Sequence, residues 1–150
     1  MKYIIHMKLI ICFLISISPL MANENNEFTV SEIIEKRMIS MQSLNKLMSQ
    51  ARINIQENKL NSETIDIFKK IQHILYDYPS LFPDNSFVGK TKASQDIISN
   101  RDDFNSIAKE YEDNAKLIIV LIESEDSAAV NKSFQNLYSS CKSCHSRFRN

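Results

Sequence analysis

Turn-forming residues are scarce in this chain of 150 residues, which has one glycine and three prolines. Gly89, Pro79 and Pro83 fall in one stretch, and Pro19 stands near the start. Elsewhere nothing punctuates the helical spacing of apolar residues, and no βαβ pattern is visible, so the chain reads as all-α. Charge of one sign is also missing. Eighteen basic residues face eighteen acidic ones, which gives no support for nucleic-acid binding. Only three cysteines occur, Cys12, Cys141 and Cys144. No second Cys/His cluster exists to complete a four-ligand structural zinc site. The long apolar run is Leu9 to Ile17, too short for a comfortable bilayer span and followed by no stop-transfer segment.

What the N-terminus does contain is a signal-peptide pattern. Lys2 and Lys8 make a positive start, the apolar run follows, and Pro19-Leu20-Met21-Ala22 leads into polar Asn23-Glu24-Asn25-Asn26. Cleavage after Ala22 is expected, giving a signal peptide over residues 1–22 and a mature chain over 23–150; an uncleaved anchor is the alternative. Ile11 before Cys12 is not the small residue a lipid anchor wants, so Cys12 is expected to leave with the signal. Removing Lys2 and Lys8 leaves 16 basic against 18 acidic residues, a net charge of −2. The mature chain is long enough for a real core. The expected compartment is the bacterial periplasm, with no stable membrane span after cleavage.

At the other end stands Cys141-Lys142-Ser143-Cys144-His145, the C-x-x-C-H spacing of covalent haem attachment. Two thiols add across the two vinyl groups of the porphyrin, and the adjacent imidazole reaches the iron as axial ligand. On a helix these residues fall at i, i+3 and i+4, on one face. Phe134, Leu137, Tyr138 and Phe148 make that face apolar. Two other readings stay open. Cys141 and Cys144 form a redox disulfide in a periplasmic thiol–disulfide protein, although such motifs accompany βαβ patterns. Alternatively a helical module binds metal through the same residues.

Four amphipathic segments can be read. The first opens at Thr29 with Glu32 three residues on, a capping box. Its apolar stripe runs through Ile33/Ile34, Arg37/Met38, Met41, Leu44, Met48, Ala51 and Ile55. The second follows Asn61-Ser62, buries Ile67/Phe68, Ile71 and Ile74/Leu75, and ends at Pro79. After a long loop over 80–94 the third runs from about Gln95 to Ser124, with Ile98, Phe104, Ile107, Tyr111, Ala115, Ile118 and Ile122 inward. The fourth carries Val130, Phe134, Leu137 and the C-x-x-C-H. Short links at 56–62 and 123–127 make neighbours antiparallel. The expected architecture is an antiparallel four-helix bundle with the cofactor near the C-terminal helix.

The chain resembles the cytochrome c′ family and its low-spin relatives, four-helix-bundle haem proteins of the bacterial periplasm. The resemblance spans about residues 30–149 and rests on three blocks. These are Lys36-Arg37-Met38-Ile39-Ser40-Met41; Leu81-Phe82-Pro83-Asp84 followed by Thr91-Lys92-Ala93-Ser94 and Arg101 to Phe104; and Cys141 to Arg149, which matches C-K-x-C-H-x-x-aromatic-R. The family often has Pro and Trp where this chain has Gln95 and Ile98, and glycines usual in other members are missing.

What the resemblance implies is specific. One covalent haem c is held by Cys141 and Cys144, with His145 on the iron. Arg37 and Arg149 match arginines near the haem and near the proximal histidine. Physically, Arg37 can pair with a propionate or snorkel at the surface, and Arg149 can bear on His145. Phe82 packs against the porphyrin. Met41 occupies the distal position, either as a methionine ligand in an electron carrier or as an apolar guard over an open iron that admits nitric oxide or carbon monoxide. Either way the protein has no catalytic turnover, and its redox partner is not named by the sequence. Homodimerisation through the first two helices is implied, and Ile39 and Ile65 permit it. Met38 and Met48 read as core packing, His73 as solvent-facing, Tyr111 and Tyr138 as core aromatics, and Glu110 to Asp113 as a solvated face.

Overall fold

A computed structural model describes residues 28–150. The expected signal peptide, its cleavage site and Cys12 lie outside the described residues.

Helix α1, Val30–Gln56, starts where the sequence places it. The Glu32 backbone N–H donates to Thr29 Oγ1 at 3.3 Å, and Thr29 N–H donates to Glu32 Oε2 at 2.7 Å. This reciprocal cap satisfies donors that the first helical turn leaves without partners. Leu44, Met48, Ala51 and Ile55 bury one stripe at the spacing a helix requires. A short link, in which Asn58 takes a left-handed φ of 53°, reverses the chain. Asn61 then caps α2, Ser62–Asp77, by accepting from Thr64 N–H at 3.2 Å.

The α-helix stops at Asp77, yet the chain coils on through a 3-10 turn, Tyr78–Leu81, with Pro79 at its start. Proline fits there because its missing N–H falls among those a helical start leaves free anyway. Residues 82–95 are irregular, and Gly89 takes a φ of +72°, which glycine adopts without a Cβ penalty.

The third helix expected over 95–124 is two. Short α3, Asp96–Ser99, ends at Asn100, and α4, Arg101–Glu123, follows. The break has a local cause. Asn100 closes α3 with both its backbone N–H, at 3.0 Å, and its Nδ2, at 2.8 Å, donating to the Asp96 carbonyl, so side chain and backbone cap the helix together. Asn100 leaves the helical region at φ −124°, ψ 40°, and the register turns with it. Ile97 is 1% exposed, whereas Ile98, expected inward, is 41% exposed. Asp126 caps the last helix, α5, Ser127–Phe148, by accepting from Ala129 N–H at 3.0 Å.

The four long helices form a four-helix bundle in which α1 packs on α2, α2 on α4, and α4 on α5. The main core holds Ala51, Phe68, Ile71, Ala115, Ile118 and Val130, all essentially without exposure. A second, mostly aromatic cluster closes one end: Phe82, Phe87, Ile97, Phe104 and Phe148. Its rings meet edge to face, Phe82–Phe104 at 4.9 Å and Phe104–Phe148 at 5.3 Å, the geometry aromatic quadrupoles favour.

Four further side-chain placements differ from the sequence reading. Met38 is 52% exposed rather than core. Tyr138 is exposed, with the Arg52 guanidinium stacked on its ring at 4.3 Å. Ile65 is half-buried against its own core. Glu112 is not solvated either: Lys116 Nζ at 2.6 Å, Lys109 Nζ at 3.6 Å and Gln72 Nε2 at 3.1 Å cover its carboxylate. No helix among the described residues is long and apolar enough to cross a membrane.

Candidate haem site

The thiols of Cys141 and Cys144 are free and half-buried. Cys141 Sγ donates to the Leu137 carbonyl at 3.5 Å, a contact internal to α5. Cys144 packs on both clusters at once. The C-x-x-C-H turn therefore lies where the aliphatic core meets the aromatic end wall. Burial pushes both thiols above their ordinary pKa. That opposes a redox-dithiol role, since the thiolate is the nucleophile and catalytic C-x-x-C cysteines have lowered values. Among the described residues no group of three His, Cys, Asp or Glu side chains is placed to hold a metal ion.

His145 is exposed beside the thiols. Partial burial, then the charge of Arg149, draws its pKa below the ordinary histidine value. A neutral imidazole is the form that ligates iron. Arg149 itself is exposed. It is fixed by backbone: its N–H donates to the His145 carbonyl at 3.2 Å, and it forms an antiparallel bridge with Ala93. Ser94 N–H to Phe148 O and Asn150 N–H to Lys92 O, each 2.9 Å, flank that bridge. The end of the chain is thus stitched to the irregular segment.

Two tyrosines border the turn. Tyr111 on α4 donates its hydroxyl to the carbonyl of Ser140, the residue before Cys141. Its phenol is pushed up to about 12, by burial first and then by the neighbouring Cys144 and Cys141. Tyr78, also raised to about 12 chiefly by burial, meets Phe82 edge to face with centroids 5.0 Å apart. Spacing marked Tyr111 as a core residue; nothing in the sequence marked it as a partner of the C-x-x-C-H turn.

Arg37 does not snorkel. It is 4% exposed, and its Nε donates to Leu81 O at 2.6 Å. Nη1 donates to Ser86 O at 3.0 Å and Thr91 Oγ1 at 3.4 Å, and Nη2 to Ser86 Oγ. The plane stacks on Phe82 at 4.1 Å and lies 5.3 Å from Phe87. Phe82 is buried in the wall that touches Cys144. Met41, one helical turn beyond Arg37, is half-buried against the main core. His73 is solvent-facing, 3.4 Å from Asp77.

Two thiols and an imidazole on one face, beside a wall of aromatic rings, fit a porphyrin bound through its vinyl groups and its iron. Fold and site together define a helical-bundle c-type cytochrome. The family profile described as Cytochrome C′ matches residues 32–149. A cytochrome c′ of Pararhodospirillum photometricum is 31% identical over 91 residues, 60% of this chain and 73% of the relative. Among solved structures, a cytochrome c′ with ligand-controlled dimer dissociation superposes with a TM-score of 0.72 at 22% identity, over 82% of this chain and 98% of the other. The nitric oxide complex of a mutant cytochrome c′ from Alcaligenes xylosoxidans gives 0.73 at 15% identity, over 83% and 99%. The chain belongs to the cytochrome c′ family. Its cofactor is covalent haem c with iron.

Proposed function

We propose that the protein is an exported, periplasmic haem c protein that binds small diatomic gases such as nitric oxide or carbon monoxide at its iron, without catalytic turnover. The observation that carries this reading is the placement of Cys141, Cys144 and His145 on one face of α5, where both apolar clusters meet. Haem bound there supplies a one-electron iron couple and an iron able to take a diatomic ligand. The chain supplies the rest. Cys141 and Cys144 would hold the group covalently through their thiols, and His145 would ligate its iron. Arg149 lies close enough to lower the pKa of His145, and its fixed positive charge favours the reduced state. Phe82 forms a wall of the site. Four of the five N–H groups of Arg37 are engaged by protein acceptors.

Met41 is read as the apolar guard of the distal side, because it packs on the main core as methionines commonly do. The relative from Alcaligenes xylosoxidans, solved as a nitric oxide complex, supports gas binding. Single-electron transfer with Met41 as sixth ligand is the second reading. Its support is that Met41 is only half-buried, so its thioether keeps freedom to turn. A homodimer through α1 and α2 is supported by the 52% exposure of Ile39 and by the relative with ligand-controlled dimer dissociation.

Ferric and ferrous spectra, with and without nitric oxide, test the reading. A high-spin spectrum that shifts with the gas supports the guard. A low-spin spectrum with a sharp ferrous α-band and little gas response overturns it in favour of electron transfer.

A further inference from the structure

Arg37 is a buried cation, and no carboxylate among the described residues pairs with it. Its hydrogen bonds go instead to Leu81, Ser86 and Thr91, spread along an irregular stretch of chain. Besides these bonds the stretch is held by Ser86, whose N–H and Oγ donate to Pro83 O at 2.9 and 2.5 Å, by Arg101 Nη2 on Asp84 Oδ1 at 2.8 Å, and by buried Phe87. Beyond Thr91 the bridge to the C-terminus takes over. Phe82, by contrast, must stand in one place, edge-on to Phe104 and next to Tyr78. The guanidinium meets this need by shape. Its fork reaches four backbone or hydroxyl oxygens, and its flat face receives the Phe82 ring. A lysine ammonium has the charge but neither the fork nor the face.

We infer that Arg37 is a positioning residue: it clamps residues 81–91 so that Phe82 keeps its place in the wall beside Cys144, and it acts on the haem through that wall. The haem part rests on the function proposed above. The clamp itself does not.

The test uses haem-loaded full-length protein with Arg37→Lys, Arg37→Met and, as a milder change, Ser86→Ala, which removes one acceptor of the fork. Lys90 is exposed in the clamped segment and reports its opening to trypsin. Cleavage there tracks the population of the opened segment. Both Arg37 variants are expected to be cut at least about tenfold faster, since several hydrogen bonds to a charged group are lost together. Ser86→Ala should fall between them and the parent. The Soret maximum should shift in the same order, with no rescue by lysine. Parent-like cleavage and spectrum in Arg37→Lys would overturn the inference, because charge alone would then suffice. Faster cleavage with an unchanged Soret band would overturn the action on the haem. If Arg37→Met does not fold, Ser86→Ala decides, and parent-like behaviour there refutes the clamp. A parent protein without haem would refute the cytochrome reading and the haem half of this inference, while the cleavage rates still judge the clamp.

Discussion

Replacing Phe104 tests whether the aromatic wall beside Cys144 is held by ring geometry or merely by bulk. Phe104 is 3% exposed. It stands between Phe82, 4.9 Å away at an interplanar angle of 63°, and Phe148, 5.3 Å away at 89°. Phe104→Leu keeps most of the apolar volume and removes both edge-to-face pairs. At about 0.5–1.5 kcal/mol per pair beyond area burial, the cost is about 1–3 kcal/mol. Phe104→Ala also opens a cavity, and such truncations cost about 3–5 kcal/mol. Urea unfolding of the holoprotein, followed by far-UV circular dichroism, measures both. With a slope of about 1–3 kcal/mol per molar urea, the leucine variant's midpoint should fall by roughly 1 M and the alanine variant's by about twice that. A leucine variant that unfolds with the parent would show that the ring contacts add nothing beyond filling space. Equal losses in the two variants would show that the site cannot use the leucine volume.

Cys141→Ser should cut holoprotein yield sharply, since one thioether is lost, and mass spectrometry of the purified protein reads this directly; normal yield would remove Cys141 from the attachment site. His145→Ala should leave haem attached while altering the ferric and ferrous spectra, and an unchanged spectrum would end the axial assignment. Glu112 lies below the ordinary glutamate value of 4.5, first through its hydrogen bond with Lys116, against the opposing effect of burial. A carboxylate depressed in the folded state contributes stability above its unfolded pKa and loses it as pH falls through the folded one. The Tm difference between parent and Glu112→Gln should therefore be full at pH 7 and shrink below pH 4.5; a pH-independent difference would contradict the ion pairing. Thr29→Ala removes the α1 cap and should cost about 1 kcal/mol, read as a lower urea midpoint.

The parts of this molecule that sequence displays are those with local causes. The C-x-x-C-H turn is five consecutive residues with one chemistry, and the caps at Thr29 and Asn61 act over three residues. The helices follow from apolar spacing, which is also local. Asn100 shows where that reading stops: its backbone leaves the helical region while its N–H and Nδ2 both cap Asp96 O, and the flanking apolar pattern still reads as one helix. Arg37 was legible as a residue near the site but not as a clamp. Its partners lie 44, 49 and 54 positions away, and no periodicity encodes such contacts. The bridge from Ala93 to Arg149 is equally remote in sequence. Met38 and Tyr138 lie on apolar stripes yet stand exposed, because a helical stripe gives the direction of burial, not how far the neighbouring helix extends.

Covalent haem on Cys141 and Cys144 is the central claim. The direct measurement is acid–organic extraction of the full chain after export from a host with haem-attachment machinery, with optical spectra of both phases. The Soret absorbance should stay with the precipitated polypeptide in the parent and be depleted in a Cys141→Ser, Cys144→Ser double variant. A colourless parent, or pigment that passes wholly into the solvent, would contradict the account.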